Sequence, residues 1–177
     1  MNETEIINKK ILILENVRSV YNVGAIFRTA DAIGIDKIFL VGYTPTPLDR
    51  FGRIRKDIHK AALGAEENII WEHLSDLEAI DVIKDLKNNN FKVVAVEQDK
   101  KSLDYKKVSE KTNNEDIALI LGNELEGVSK EILNLCDYVA ELPMKGNKES
   151  LNVSVTAGII LYHFFDTEDK NENSDRL

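Results

Sequence analysis

The chain has 177 residues, 43% of them hydrophobic, with a formal net charge of −8, enough for one domain with a proper core and short for two. Its single cysteine, Cys136, excludes an internal disulfide and fits a reducing compartment. No apolar run approaches the roughly 20 residues of a membrane span, and the opening MNETEIINKK lacks the apolar core of a signal peptide, so the expectation is a cytoplasmic protein with no membrane partner.

Ile11 to Leu14 is a short apolar run that reads as a strand. Asn22 to Ile33 carries a helical pattern closed by Gly34, a residue suited to a helix stop. Lys37 to Val41 is a buried strand, and Gly42 to Asp49, with Pro45 and Pro47, is a loop. A basic stretch then leads into a short helix around Asp57 to Leu63, followed by a strand at Ile69 to Trp71. Ser75 and Glu78 form a capping box ahead of Leu77, Ile80, Ile83 and Leu86 at helical spacing. Phe91 to Val96 and Ile117 to Leu121 are further strands, and Ser129 can cap a short helix through Leu135. Tyr138 to Leu142 is the last strand, and a helix from about Leu151 to Phe165 closes the domain, 1–165. The acidic residues 166–177 read as a solvated, disordered tail. Alternating strands and helices predict an α/β fold, a mostly parallel sheet covered on both faces, with ligands bound beyond the carboxyl ends of the strands.

Three segments at those ends have a mixed composition. After the first strand, Asn22, Gly24, Arg28 and Thr29 interrupt an otherwise apolar helix, and Gly24 and Arg28, one turn apart, share a face on which the glycine leaves room for a close neighbour. Arg28 can pair with Asp31 or serve a site. After Leu121, Gly122 and Gly127 bracket Asn123, Glu124 and Glu126. This loop has neither the Gly-Lys-Ser/Thr of a phosphate loop nor GxGxxG, and its acidity suits a cationic ligand without phosphates. In the third, LPMKGNKESLNVSVTAG, the small polar residues Ser150, Asn152, Ser154 and Thr156 either cap a helix or face a ligand at its positive end.

The negative net charge alone argues against a nucleic-acid partner. Its distribution argues the other way, because Arg50, Arg53, Arg55, Lys56, His59 and Lys60 crowd into eleven residues around Phe51. That stretch is either an RNA backbone contact or a solvated helix face. His59, His73 and His163 show no metal-ligand spacing, and no metal is expected.

Taken together, NVGAIFRTADAIG, ILGNELEGVS and LPMKGNKESLNVSVTAG resemble, in order and spacing, the three motifs of the SpoU/TrmH-type RNA ribose 2′-O-methyltransferases of the SPOUT superfamily. The resemblance implies a C-terminal deep trefoil knot, a homodimer with the site at its interface, and S-adenosylmethionine as cofactor. It implies tRNA or rRNA as the methyl acceptor. By the same likeness Asn22, Arg28, Glu124, Ser150 and Asn152 fall on the family's catalytic positions. Val96, Glu97, Leu121, Gly122, Asn123, Gly127, Leu142, Met144, Ser150 and Leu151 fall at the cofactor, with backbone groups of Gly122, Leu142 and Leu151 around the adenosine. RNA contacts are expected from Arg18, Arg28, Arg50, Arg53, Arg55 and Lys56.

The chemistry explains the residue types. Methyl transfer to a hydroxyl is mostly a matter of alignment, and the hydroxyl must lose its proton as it attacks. A guanidinium is too basic to act as a literal base, so Arg28 is expected to stabilise developing oxyanion charge. Glu124 is expected to orient Asn22 or Arg28, and Ser150 and Asn152 to hold the arginine and the cofactor's methionine end. A catalytically weak RNA-binding or assembly factor of the same fold is the alternative, and a flavodoxin-like nucleotide or flavin domain is disfavoured by the missing phosphate loop.

Overall fold

Every strand pairing in the sheet is parallel, as expected of strands returned by helical crossovers. A computed structural model describes residues 9–166, so the tail expected at 166–177 lies, but for Asp166, outside the described residues. The strands are β1 (Lys10–Glu15), β2 (Lys37–Val41), β3 (Ile70–Leu74), β4 (Lys92–Val96), β5 (Leu103–Asp104), β6 (Ile117–Leu121) and β7 (Tyr138–Glu141). Their spatial order is β3-β2-β1-β6-β4-β7-β5. The helices are α1 (Val20–Ile33), α2 (Lys56–Ala62), α3 (Ala65–Asn68), α4 (Asp76–Asn88), α5 (Tyr105–Lys111), α6 (Lys130–Leu133) and α7 (Val153–Phe165).

Side-chain alternation splits the core in two. Leu12, Leu14, Ile38, Leu40, Leu119 and Leu121 point to one face, where Phe27 of α1, Ile58 of α2, Val108 of α5 and Leu161 of α7 cover them. Ile11, Ile13, Phe39, Val41 and Ile120 point to the other, under Ile83 of α4 and Ile132 of α6. Both faces are buried, which is why these strands read as continuous apolar runs.

Local chemistry sets the helix ends. Ser19 accepts the Asn22 N–H at 3.3 Å to open α1, and Gly34 closes it at φ 73°, donating to the Ala30 and Asp31 carbonyls. The Ser75 and Glu78 capping box forms as expected. Leu77 is a correction: at 76% exposure it lies off the buried stripe, which is made by Ala79 and Ile83 with Val82 and Leu86 half-buried. At about 100° per residue, position 77 falls well round the helix from 83. Strand β3 runs three residues past the expected Trp71; Glu72 and His73, on opposite faces of this edge strand, are both exposed, so no apolar run marks them in the sequence. Helices α3 and α5 and the two-residue β5 were not expected, being too short for a periodic signal.

Gly24 has a structural neighbour. It is buried where α1 crosses α2, and a Cβ there would lie 2.6 Å from the Ala61 Cβ and 2.8 Å from the Ile58 carbonyl oxygen. The room it leaves is filled by α2, whereas Arg28, one turn on, is exposed. Gly24→Ala is therefore expected to overpack this crossing and cost about 1–3 kcal/mol. Urea unfolding should show a lower midpoint with an unchanged slope.

Candidate active site

Loops leaving the carboxyl ends of β4, β6 and β7 close around a cavity of about 330 Å³. From the β4 side it is lined by Val96, Glu97 and Gln98, and from the β6 side by Leu121, Gly122, Asn123, Glu124 and Gly127. Leu142, Met144, Ser150 and Leu151 complete the wall after β7. All ten residues expected at a cofactor are thus brought to one cavity. Gln98, Leu125, Glu126, Glu149, Val153 and Thr156 also line it. Glu126 and Thr156 were already singled out in the sequence, and adjacency was the available signal for the other four, each next to such a position.

Backbone proximity makes the two glycines of the β6 loop obligatory. A Cβ on Gly122 would overlap the Gly127 and Val128 backbone, and one on Gly127, at φ 72°, would overlap the Glu97 carboxylate. That carboxylate accepts the Val128 N–H at 3.0 Å, tying the β4 loop to the β6 loop. Gln98 Nε2 donates to the Glu149 carbonyl at 2.5 Å, tying it to the β7 loop. Asn123 is only 7% exposed, and its side chain is engaged with protein. Its Oδ1 accepts the Leu125 and Glu126 N–H groups at 2.7 and 3.0 Å, and its Nδ2 donates to the Asn16 carbonyl at 2.9 Å and to the Tyr43 hydroxyl. No local pattern marks Tyr43, whose contact spans the chain.

The remaining expected residues divide. Arg28 is exposed, does not line the cavity and has no ion pair with Asp31 or any other described residue. Ser150 does not cap α7; Asn152 does, accepting the Ser154 N–H at 2.8 Å. In the basic stretch Arg53 pairs with Asp49 at 2.7 Å and Arg55 with Asp57 at 3.7 Å, which leaves Arg18, Arg28, Arg50 and Lys56 without ion pairs among the described residues. His59, Glu66 and Glu67 bring their ligand atoms within 4.8 Å of one another, a cluster that could hold a cation and that spacing did not suggest. It borders a recess of about 550 Å³ walled by Leu48, Ile54, Ile70 and Trp71, which shares no residue with the first cavity. That recess is larger and mostly apolar, with Glu66, Glu67 and Asn68 as its polar lining. Burial pushes the Cys136 thiol up to about 12, so it stays protonated and unreactive near neutrality.

Three of the five expected catalytic residues form one hydrogen-bonded chain at the cavity rim. Asn152 Nδ2 donates to Asn22 Oδ1 at 3.1 Å, and Asn22 Nδ2 donates to Glu124 Oε1 at 3.0 Å. The Arg18 N–H donates to Glu124 Oε2 at 3.3 Å. The partner of Glu124 is therefore Asn22, and the amide of Asn152 is spent on Asn22 and not on Arg28. Partial burial, the largest single influence on Glu124, pushes its carboxyl up, but hydrogen bonds from its own N–H, Asn22, Arg18 and Ser19 together hold it below its ordinary value. A depressed carboxyl stabilises the fold above its unfolded value and loses that contribution as pH falls through the folded one. Wild type should accordingly melt above Glu124→Gln at neutral pH, with the gap closing as pH drops below 4.5, readable by scanning fluorimetry.

A model of the SpoU rRNA Methylase family matches residues 9–162. A TrmH family protein of Staphylococcus aureus (strain COL) is 31% identical over 155 residues, which are 88% of this chain and 58% of that protein. The tRNA (guanosine(18)-2′-O)-methyltransferase of Aquifex aeolicus (strain VF5) is 33% identical over 152 residues, 86% of this chain and 66% of that one. The AdoMet-bound rRNA methyltransferase from Sinorhizobium meliloti superimposes with a TM-score of 0.77 at 28% identity, covering 88% of this chain and 55% of that one. The chain spans little more than half the length of the first and last of these proteins. With the family pattern running from before β1 into α7, the chain belongs to the SpoU rRNA Methylase family.

Proposed function

We propose that residues 1–165 form one SpoU-type domain that binds S-adenosylmethionine and methylates a ribose 2′-hydroxyl of tRNA or rRNA. The cavity carries this reading. Glu97, Glu124, Glu126 and Glu149 line it and no lysine or arginine among the described residues does, a setting for a cationic, phosphate-free ligand. Leu121, Leu142, Met144 and Leu151 supply apolar surface for an adenine, and backbone groups of Gly122, Leu142 and Leu151 hold the nucleoside. The family match, the 2′-O-methyltransferase of Aquifex aeolicus and the AdoMet-bound relative all support it.

When bound, S-adenosylmethionine supplies a methyl carbon on a sulfonium, taken in line by the ribose oxygen as the carbon–sulfur bond breaks. The chain Asn152–Asn22–Glu124 holds the starts of α1 and α7 together at the rim, so two helix N-termini with positive dipole ends meet beside the cavity. Arg28, exposed and without an ion pair among the described residues, places a cation for the developing oxyanion, and the hydroxyl proton leaves to an RNA phosphate or water. Ser150, on the wall, orients the reacting groups. Arg18, Arg50 and Lys56, joined by the partly neutralised Arg53 and Arg55, contact the RNA backbone. The same reading carries the trefoil knot, supported by β7 lying beyond β4 while α7 returns to pack on α1. It also places the protein in the cytoplasm; no helix among the described residues is long and apolar enough to cross a membrane.

A homodimer fits the exposed apolar stripe of α7. Val155, Ile159 and Tyr162 are 37–49% exposed at successive turns, and α1, which packs on α7, exposes Tyr21 at 65%. A second copy seated there adjoins the cavity rim at Tyr21 and Leu151.

Calorimetry with S-adenosylmethionine and transfer of a labelled methyl group to RNA test the activity. Arg28→Ala should lower methyl transfer by about 10²–10³-fold with cofactor affinity unchanged, whereas Arg28→Lys keeps most of the rate. Loss in both variants would show that the guanidinium's shape, not its charge, is needed, and weakened cofactor binding would place Arg28 in the cavity. For the dimer, Ile159→Asp should halve the sedimentation-equilibrium mass; an unchanged mass would move the interface elsewhere.

A further inference from the structure

The loop between β2 and α2 holds an aromatic ring out in solvent on a rigid turn. Phe51 is 66% exposed, although the turn that carries it is tied by several hydrogen bonds. Asp49 organises the turn: its Oδ1 accepts the Phe51 and Arg53 N–H groups at 2.8 and 3.0 Å, and its Oδ2 accepts Arg53 Nε at 2.8 Å. Backbone bonds from Asp49 N–H to the Arg53 carbonyl and from Gly52 N–H to the Asp49 carbonyl, at 2.8 and 2.9 Å, close it. Leu48 and Ile54 bridge antiparallel beneath it. Gly52, at φ 75°, supplies the left-handed residue the turn requires.

Two guanidiniums flank the ring. The Arg50 and Arg53 guanidinium carbons lie 4.7 and 5.0 Å from its centroid. Exposing a phenyl ring to water is unfavourable, and the two cation–π contacts offset only part of that cost. An aromatic ring with two guanidiniums over it is a suitable stacking surface for a nucleotide, whose base has a face to stack and whose phosphate has a charge to neutralise. The loop is also rooted at the cavity, where the Tyr43 N–H donates to Asn16 Oδ1 at 3.1 Å and the Tyr43 hydroxyl meets Asn123.

We propose that Phe51, between Arg50 and Arg53 on the turn organised by Asp49, is a stacking platform for an unpaired nucleobase of the RNA. This rests on the methyltransferase reading and sharpens it: the acceptor is a nucleotide in a single-stranded loop or bulge, since a base inside a duplex has both faces stacked on its neighbours. It also changes the role of Arg53, whose charge Asp49 already offsets. Arg53 acts here through its plane, and Arg50 carries the free charge.

Fluorescence anisotropy with the full chain tests it, using a labelled oligoriboadenylate, an abasic ribose-phosphate strand of the same length and a fully paired RNA duplex. Phe51→Ala should weaken binding of the oligoriboadenylate by about 5- to 100-fold, with its salt dependence unchanged. Binding of the abasic strand and duplex should not change, and Phe51→Trp should restore affinity. Equal binding by Phe51→Ala and wild type, or equal loss on the abasic strand, overturns the platform. An altered sedimentation mass with unaltered RNA affinity would make the ring a protein contact and overturn it too. If wild type binds S-adenosylmethionine and none of the RNAs, the RNA substrate itself falls, and the platform with it.

Discussion

Strand β6 enters the sheet between β1 and β4, after both have appeared in the chain, and pairs in parallel through five residues with each. That insertion sets the geometry of the rest. It places the β6 loop at the centre of the carboxyl edge, within reach of the β4 loop on one side and of the Asn16–Arg18 segment after β1 on the other. Glu97 and Glu124 exploit this: the first holds the Val128 N–H from the β4 side, the second accepts Asn22 and the Arg18 N–H from the β1 side. Displacing β6 would separate all three motif segments.

The carboxylates around that strand show how environment assigns their roles. Glu15, at the end of β1, is 3% exposed and accepts the Ser129 N–H at 3.0 Å, and burial pushes its carboxyl above the ordinary range. Glu124, at the rim, is held below it by several donors. The buried one joins β1 to the start of α6, and the rim one stays charged where a cation can use it. The polar wall of the cavity is in this way separated from the apolar sheet beneath it by a few residues.

Much of the fold was legible because its signals are local. Buried strands such as Lys37–Val41 and Ile117–Leu121 were bounded correctly from continuous apolar runs, and Ser75, Glu78, Ser129 and Gly34 marked helix ends through bonds a few residues long. Misses also had local causes. Leu77 fits a helical period in the sequence, yet sits on the solvent side, and α5 offers only Tyr105 and Val108 as apolar residues, too few for a period. Gly24 leaves room for a close neighbour, but a sequence cannot say which element will arrive there; α2 did.

The residue types at the site, its three segments and their placement at strand ends were decided by the sequence, because composition and motif order are properties of the chain alone. Pairings were decided by the tertiary structure. Glu124 with Asn22, Asn152 with Asn22, Asn123 with Tyr43, and Arg53 with Asp49 each choose among partners that the sequence left equivalent. Three of these four contacts span 80 to 130 residues. Contacts at such separation depend on where the sheet carries each loop, and that is set by the order β1-β6-β4 and not by any pattern along the chain.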